Sequence, residues 1–289
     1  MTPEEMVSGV SELVSLPEVC VRINEMLDDP STTSKALGEV ISHDPNLTAR
    51  LLRMVNSAYY GMAAEINTVS HAVTIVGLDE LRSLVLATSA SRAFANIPTE
   101  WVDMDMFWHH SVYCGLVARV LGAVRGMRQR ERLFVIGLLH DVGRLVLYHQ
   151  APAVARQILE SAGARGRQPT ALEKELLGFT HAEIGAALLR TWRLPSSLWK
   201  PVECHHEPMR AEDFRAETLL LHVANAIAVT VEPGTKGQWN ETEVRREVDP
   251  EAWDAAGLDE DAVQHAITEA NLRSLEVLAI VAPDAALIF

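Results

Sequence analysis

Apolar residues recur along most of this chain at intervals of three and four, the spacing that lines one face of an α-helix. No stretch of convincing length alternates apolar with polar residues as a half-buried strand does. Residues 16–28 carry Val19, Ile23, Met26 and Leu27 in helical register, with Pro17 suited to a first turn and Asp28-Asp29-Pro30 as the stop. The pattern predicts helices over 33–42, closed by Asp44-Pro45, and over 47–58, with Gly61 available for a left-handed cap. Two more follow over 69–76 and 79–94, joined at Gly77. Pro98 and the polar pair Thr99-Glu100 mark a boundary between two helical lobes, 1–98 and 99–289. The second lobe should hold helices over 106–121, 133–148, 151–162, 171–177, 181–191, 198–205 and 218–229. Polar, Gly-containing loops are expected over 163–168 and 232–243. A last helix over 261–281 should bury Val263, Ile267, Leu275, Leu278 and Ile280, with Asp259 as its cap. Residues 133–148 are almost wholly apolar before His140, as in a central helix buried on all sides. The fold class is all-α.

At 289 residues and 48% hydrophobic content the chain can bury a large core. Its 25 Lys and Arg stand against 39 Asp and Glu, a net charge of −14, which disfavours a general binder of nucleic-acid backbones. Helices over 69–76 and 79–94 have the outline of a DNA-reading helix-turn-helix, but the second offers only Arg82 and Arg92 as basic groups. Simple packing explains the pair better. The charge is uneven: residues 99–206 hold 13 basic side chains against 10 acidic, a balance that lets a phosphorylated ligand approach this segment. Cys20, Cys114 and Cys204 lie far apart and form no CxxC, so free thiols and a reducing compartment are expected. The acidic N-terminus lacks a basic region followed by an apolar one, and no apolar run suits a bilayer span. A cytoplasmic protein is the expectation.

The candidate chemistry is concentrated between Trp108 and His206, around the run Gly137 to Leu147, GLLHDVGRLVL. His110 lies four residues before Cys114 and seven before Val117, so it is the one of the His109–His110 pair expected to face inward, with His109 toward solvent. His140 and Asp141 sit in the most hydrophobic segment. His181 stands one turn before Gly185, where the missing side chain lets another helix or a ligand approach. His205 and His206 end a short helix. Either these groups share a metal ion or each finds a local hydrogen-bond partner, because a buried polar group left unpaired costs about 1–3 kcal/mol. Imidazole and carboxylate suit Fe, Zn and Mn alike.

From Leu13 to His222 the chain resembles the HDOD family, a divergent branch of the HD metal-dependent phosphohydrolase superfamily. The resemblance rests on Leu16-Pro17, on the segment from Ser42-His43-Asp44-Pro45 through Asn56-Ser57-Ala58-Tyr59-Tyr60-Gly61, and on Trp108-His109-His110-Ser111, Gly137-Leu138-Leu139-His140-Asp141-Val142-Gly143 and Glu203-Cys204-His205-His206-Glu207. It implies a two-lobed helical fold with an HD-like second lobe and a bacterial signal-transduction role in which catalysis is commonly lost. By similarity to the related HD-GYP phosphodiesterases, the implied metal ligands are His110, His140, Asp141, His181, His205, His206 and Asn225. Three departures matter. Asn225 stands where those relatives have an aspartate, Arg144 where they have a lysine, and Glu207-Pro208-Met209-Arg210 replaces the Gly-Tyr-Pro run. A neutral amide ligates through oxygen but brings no charge to offset a divalent ion. The expectation is therefore a signalling module with a degenerate metal site that binds a signalling protein or a phosphorylated small molecule. The alternative is a metal-dependent phosphohydrolase of a nucleotide or cyclic dinucleotide, with Asp141 positioning the attacking water and Arg144 contacting phosphate.

Overall fold

The computed structural model describes residues 1–10, 14, 16–29, 31–94, 102–165, 168–231 and 241–287. Among them the chain is helical, with no strand, as its apolar periodicity predicts. Helices α1 (Pro3–Val10), α2 (Glu18–Asp28), α3 (Ser34–Ser42), α4 (Pro45–Asn56), α5 (Val69–Val76) and α6 (Leu78–Ala93) precede the long α7 (Met104–Val124). Then come α8 (Arg130–Leu139), α9 (Val142–Gln150), α10 (Pro152–Arg165), α11 (Pro169–Leu177), α12 (His181–Thr191), α13 (Ser196–Cys204) and α14 (Arg215–Thr230). The chain closes with α15 (Glu241–Glu247), α16 (Pro250–Ala256) and α17 (Glu260–Val281). The lobe boundary expected at Pro98 lies outside the described residues.

Several starts are set by side-chain caps. Asp44 does more than close α3: its carboxylate accepts from the amides of Asn46 and Leu47, and Pro45 takes the first position of α4, two residues earlier than the apolar pattern suggested. Thr33, Thr68, Asp103 and Asp259 cap α3, α5, α7 and α17 in the same way. Gly61, at φ +59°, closes a turn beyond the end of α4 by donating its amide to Ser57 O.

Helix α7 is the axis of the fold and packs against α8, α14 and α17. It meets α8 across two glycines. A Cβ on Gly137 would fall 2.5 Å from the Gly115 Cα, and one on Gly115 2.6 Å from the Phe134 carbonyl oxygen, so these backbones approach as only glycine allows. Where α7 and α8 meet the turn after α4, Glu131 is buried and neutralised: Tyr59 donates its hydroxyl to one carboxylate oxygen and Arg119 its Nε to the other. The Arg119 guanidinium also lies 4.0 Å over the Tyr59 ring.

Three expectations need correction, and α1 adds a helix that the apolar pattern was not read for. The segment 133–148 is not one helix but two, α8 and α9, broken at His140–Asp141, because the Gly137 carbonyl takes its hydrogen bond from the His140 side chain at 2.7 Å. The acidic N-terminus forms α1, which buries Met6, Val7 and Val10 against α9 and α12. The region expected as polar loops is partly helical, with α10 reaching Arg165 and α15 starting at Glu241; Gln168 is non-helical as expected, and residues 166–167 and 232–240 lie outside the described residues. Leu275 faces outward at 50% exposure, while Val263, Ile267, Leu278 and Ile280 are buried as expected. All three cysteines are free. Among the described residues, no helix is long and apolar enough to cross a membrane.

Candidate metal centre

The break between α8 and α9 places His140 at the end of one helix and Asp141 at the start of the next, both shielded from solvent. Four other elements converge on this pair. Helix α7 brings His110, the first residue of α12 brings His181, the end of α13 brings His205 and His206, and α14 brings Asn225. All seven residues expected as ligands thus meet in one pocket.

They form two groups that share Asp141. In the first, His110 Nε2 lies 3.4 Å from His140 Nε2 and 3.8 Å from Asp141 Oδ2. His140 Nε2 lies 3.5 Å from Asp141 Oδ1 and 3.2 Å from Asn225 Oδ1. In the second, His181 Nε2 lies 3.1 Å from Asp141 Oδ1 and 3.0 Å from His206 Nε2, and His205 Nε2 stands 3.9 Å from the same carboxylate oxygen. Ligand atoms about 2.1 Å from a shared tetrahedral ion stand roughly 3.4 Å apart. The spacings bracket that value.

The rings are oriented for ligation from behind. His140 donates Nδ1–H to the Gly137 carbonyl, and His205 donates Nδ1–H to the Val202 carbonyl, each at 2.7 Å. His181 Nδ1 faces both oxygens of Glu173, at 2.8 and 2.9 Å. Each of these bonds puts the ring's proton outward and turns the Nε2 lone pair toward Asp141. His205 Nε2 is buried with no hydrogen-bond partner, and buried Asp141 Oδ1 has His181 Nε2 3.1 Å away. Converging lone pairs and an orphaned acceptor in a dry pocket repel one another, and a cation is what satisfies them together. The donor set fits a transition metal.

Burial lowers the His110 pKa to about 4, with the neighbouring His140 adding to the effect, and it also depresses His140, His205 and His206. These rings stay neutral, the state in which imidazole ligates. Burial opposes charge on Asp141 and on His181 as well. At Asp141 the cationic Arg144, with His140 and His181, outweighs it and holds the carboxyl well below its usual range. At His181 the Glu173 carboxylate outweighs it and raises the imidazole.

Arg144 places its guanidinium 3.2 Å from Asp141 Oδ2 and is partly open to solvent. His109 does not face solvent: it is buried, with its ring stacked on Tyr113, because α7 is covered on both flanks. Gly185 does admit a neighbour, and that neighbour is α9, but the closer approach belongs to Gly143. A Cβ there would fall 1.9 Å from the His181 carbonyl oxygen. Sequence reasoning missed Glu173, which also accepts the His181 amide at 2.8 Å, and His222, which donates Nδ1–H to the His205 carbonyl at 2.7 Å and accepts the Asp249 amide at 3.0 Å. Glu173 stands in a Glu-Lys-Glu run that reads as a solvated face, so nothing in the sequence marked it.

The fold as a whole is shared with known proteins. A candidate phosphohydrolase from Shewanella amazonensis SB2B superimposes with a TM-score of 0.74 at 29% identity, covering 96% of this chain and 98% of that one. An HDOD domain protein of unknown function from Geobacter sulfurreducens does so with a TM-score of 0.72 at 21% identity, over 96% of both chains, a likeness of fold. An uncharacterized protein of Treponema pallidum (strain Nichols) is 28% identical over 210 residues, 71% of this chain but only 40% of that protein's length. Residues 13–208 match the HDOD domain, and with the two-lobed helical fold and the HD pair at its centre, this chain belongs to the HDOD family, relatives of the HD and HD-GYP phosphohydrolases.

Proposed function

We propose that this protein is a bacterial signal-transduction module whose HD-type centre holds a transition metal and serves binding rather than turnover. The observation that carries this reading is Asn225 Oδ1, 3.2 Å from His140 Nε2, in a ligand position where an amide brings no charge. Asp141 is the one carboxylate among the seven donors, so a pair of divalent ions would leave most of their charge uncompensated in a buried pocket. Bound there, a metal supplies charge neutralisation for a phosphoryl oxygen and lowers the pKa of a water. His110, His140, Asp141 and Asn225 would hold one ion, and Asp141, His181, His205 and His206 a second. The imidazoles would retain a metal, and the shortage of carboxylate charge makes it a structural or ligand-sensing element, presented to a protein partner or a small regulator.

A second reading, a metal-dependent phosphohydrolase of a nucleotide or cyclic dinucleotide, draws on the group of Asp141, His181, His205 and His206, which carries no substitution. In it Arg144, beside Asp141, would contact phosphate. The deciding experiment is elemental analysis of protein purified without added metal, alongside hydrolysis of bis-p-nitrophenyl phosphate and of cyclic dinucleotides, for the natural sequence and His140→Ala. The signalling reading expects bound metal that His140→Ala loses, with no hydrolysis above background. Hydrolysis that disappears in His140→Ala would transfer the assignment to the phosphohydrolase.

A further inference from the structure

A groove of about 500 Å³ opens between α6 and the starting ends of α8 and α13, and its lining includes none of the centre's histidines. Its walls include Arg82, Arg128 and Arg132, with Glu80 as the acidic member of the lining. In a chain of net charge −14 such a gathering of guanidiniums is out of proportion. Two of them are fixed in place. Arg82 donates to Asp28 at 2.6 Å, and Arg132 is paired with Glu217 and with the Gln129 side chain, while its Nε is a buried atom with no hydrogen-bond partner. Arg128 is exposed and makes no ion pair among the described residues.

The backbone adds to this field. Helices α6, α8 and α13 all begin at the groove, at Gly77, Gln129 and Pro195, and none of the three has a side chain capping its first amides. Uncapped N-termini leave several N–H donors and the positive end of the helix dipole directed at whatever occupies the space. Val76, Leu78 and Leu198 supply an apolar part of the wall, and Leu78 is 41% exposed there. The exposed Arg128, three helix starts without a side-chain cap and an apolar wall are the complement of a molecule with phosphate at one end and a ring at the other, beside Arg82 and Arg132, which are already paired with Asp28 and Glu217, and the volume suits one of nucleotide size.

We propose that this groove is a binding site for a phosphate-bearing small molecule of nucleotide size, separate from the metal centre. Helix α8 runs from the groove to His140, a span of about 15 Å at 1.5 Å per residue, and α13 likewise runs from the groove to His205. The two helices that deliver the centre's histidines therefore have their other ends at this site. The assignment does not rest on the metal, so its failure and the failure of the metal reading give different results.

The test is isothermal titration of the full chain, stripped with EDTA, with ATP and with inorganic triphosphate as probes. The expected result is saturable one-to-one binding of ATP with a Kd below about 1 mM, tighter than triphosphate. Arg128→Ala and Arg82→Ala should each weaken it about tenfold, a loss typical of one charge-assisted contact. His140→Ala should leave it unchanged. Arg128 is exposed and makes no pair, so its variant should melt at the temperature of the natural protein and report on binding alone. Absence of saturable binding, equal affinity for the two probes, indifference to Arg128→Ala, or loss of binding in His140→Ala would each overturn the proposal.

Discussion

Glu173 holds His181 twice, accepting its backbone amide at 2.8 Å and facing its Nδ1 with both carboxylate oxygens. The contact reaches from α11 to the first residue of α12 and is buried at both ends. It sets the ring so that Nε2 points to Asp141, and its charge makes that nitrogen a stronger donor to a metal.

Removing the charge and keeping the shape should therefore weaken the centre without unfolding it. Glu173→Gln is expected to lower metal affinity about 10- to 100-fold, as the loss of such an orienting carboxylate commonly does. Competition with a chromogenic chelator reads this directly. An affinity equal to that of the natural protein would mean that His181 does not ligate.

Asn225 is the complementary case, a proposed ligand position lacking charge. Asn225→Asp puts a carboxylate 3.2 Å from His140 Nε2 and should raise metal occupancy in protein purified without added metal. On the proposed binding role, in which the missing charge is what keeps the site from turnover, the same variant gains hydrolysis of bis-p-nitrophenyl phosphate. Greater occupancy with no gain would mean that the charge at this position does not by itself govern turnover.

The depressed imidazoles give the metal-free protein an acid-sensitive core. His110 titrates near 4 when folded and near 6.5 when unfolded, so between these values the unfolded chain binds more protons and stability falls as pH is lowered. His140, His205 and His206 act in the same direction, and the raised His181 opposes them. Melting temperatures of EDTA-treated protein should decline from pH 6.5 to about 4, with a shallower decline in His110→Gln. Equal slopes for the two proteins would contradict the burial of His110. Added metal should steepen the dependence, since protons then compete for the ligands.

Two glycines at the α9–α12 contact are expected to behave differently. Gly143→Ala drives a Cβ to within 1.9 Å of the His181 carbonyl oxygen, backbone against backbone, and should cost about 1–3 kcal/mol or more while displacing His181. Gly185→Ala meets nothing nearer than 3.4 Å and should be tolerated. Thermal unfolding and metal content of the pair provide the check. Similar losses at both positions would mean that the helices are not packed as described.

Much of the fold could be read from spacing alone. Helix formation is local, and a stripe of apolar residues every three or four positions needs a helix to bury it. The limits of α5 and α12 follow from that pattern, whereas α2 starts at Glu18 with Pro17 as its cap rather than inside its first turn. His110, His140, Asp141, His181 and the double histidine were legible too as single positions, and Asn225 through the resemblance to HD-GYP relatives. The start of α4 was misplaced because Asp44-Pro45 serves equally as a stop and as a cap, and only the path of the chain chooses.

By itself, then, the sequence determined the helical class, the donor types available and the missing charge at Asn225. The tertiary structure decided that α8 and α9 part at His140, that Asp141 stands between two groups of ligands, and that Glu173 and His222 act from behind. It also decided that α1 packs on α9 and α12, where Arg190 and Glu4 pair at 2.8 Å across 186 positions. The physical reason is reach. A helix fixes only the directions of its own side chains, whereas the meeting of six segments depends on how closely their backbones approach, at Gly115 with Gly137 and at Gly143 with His181.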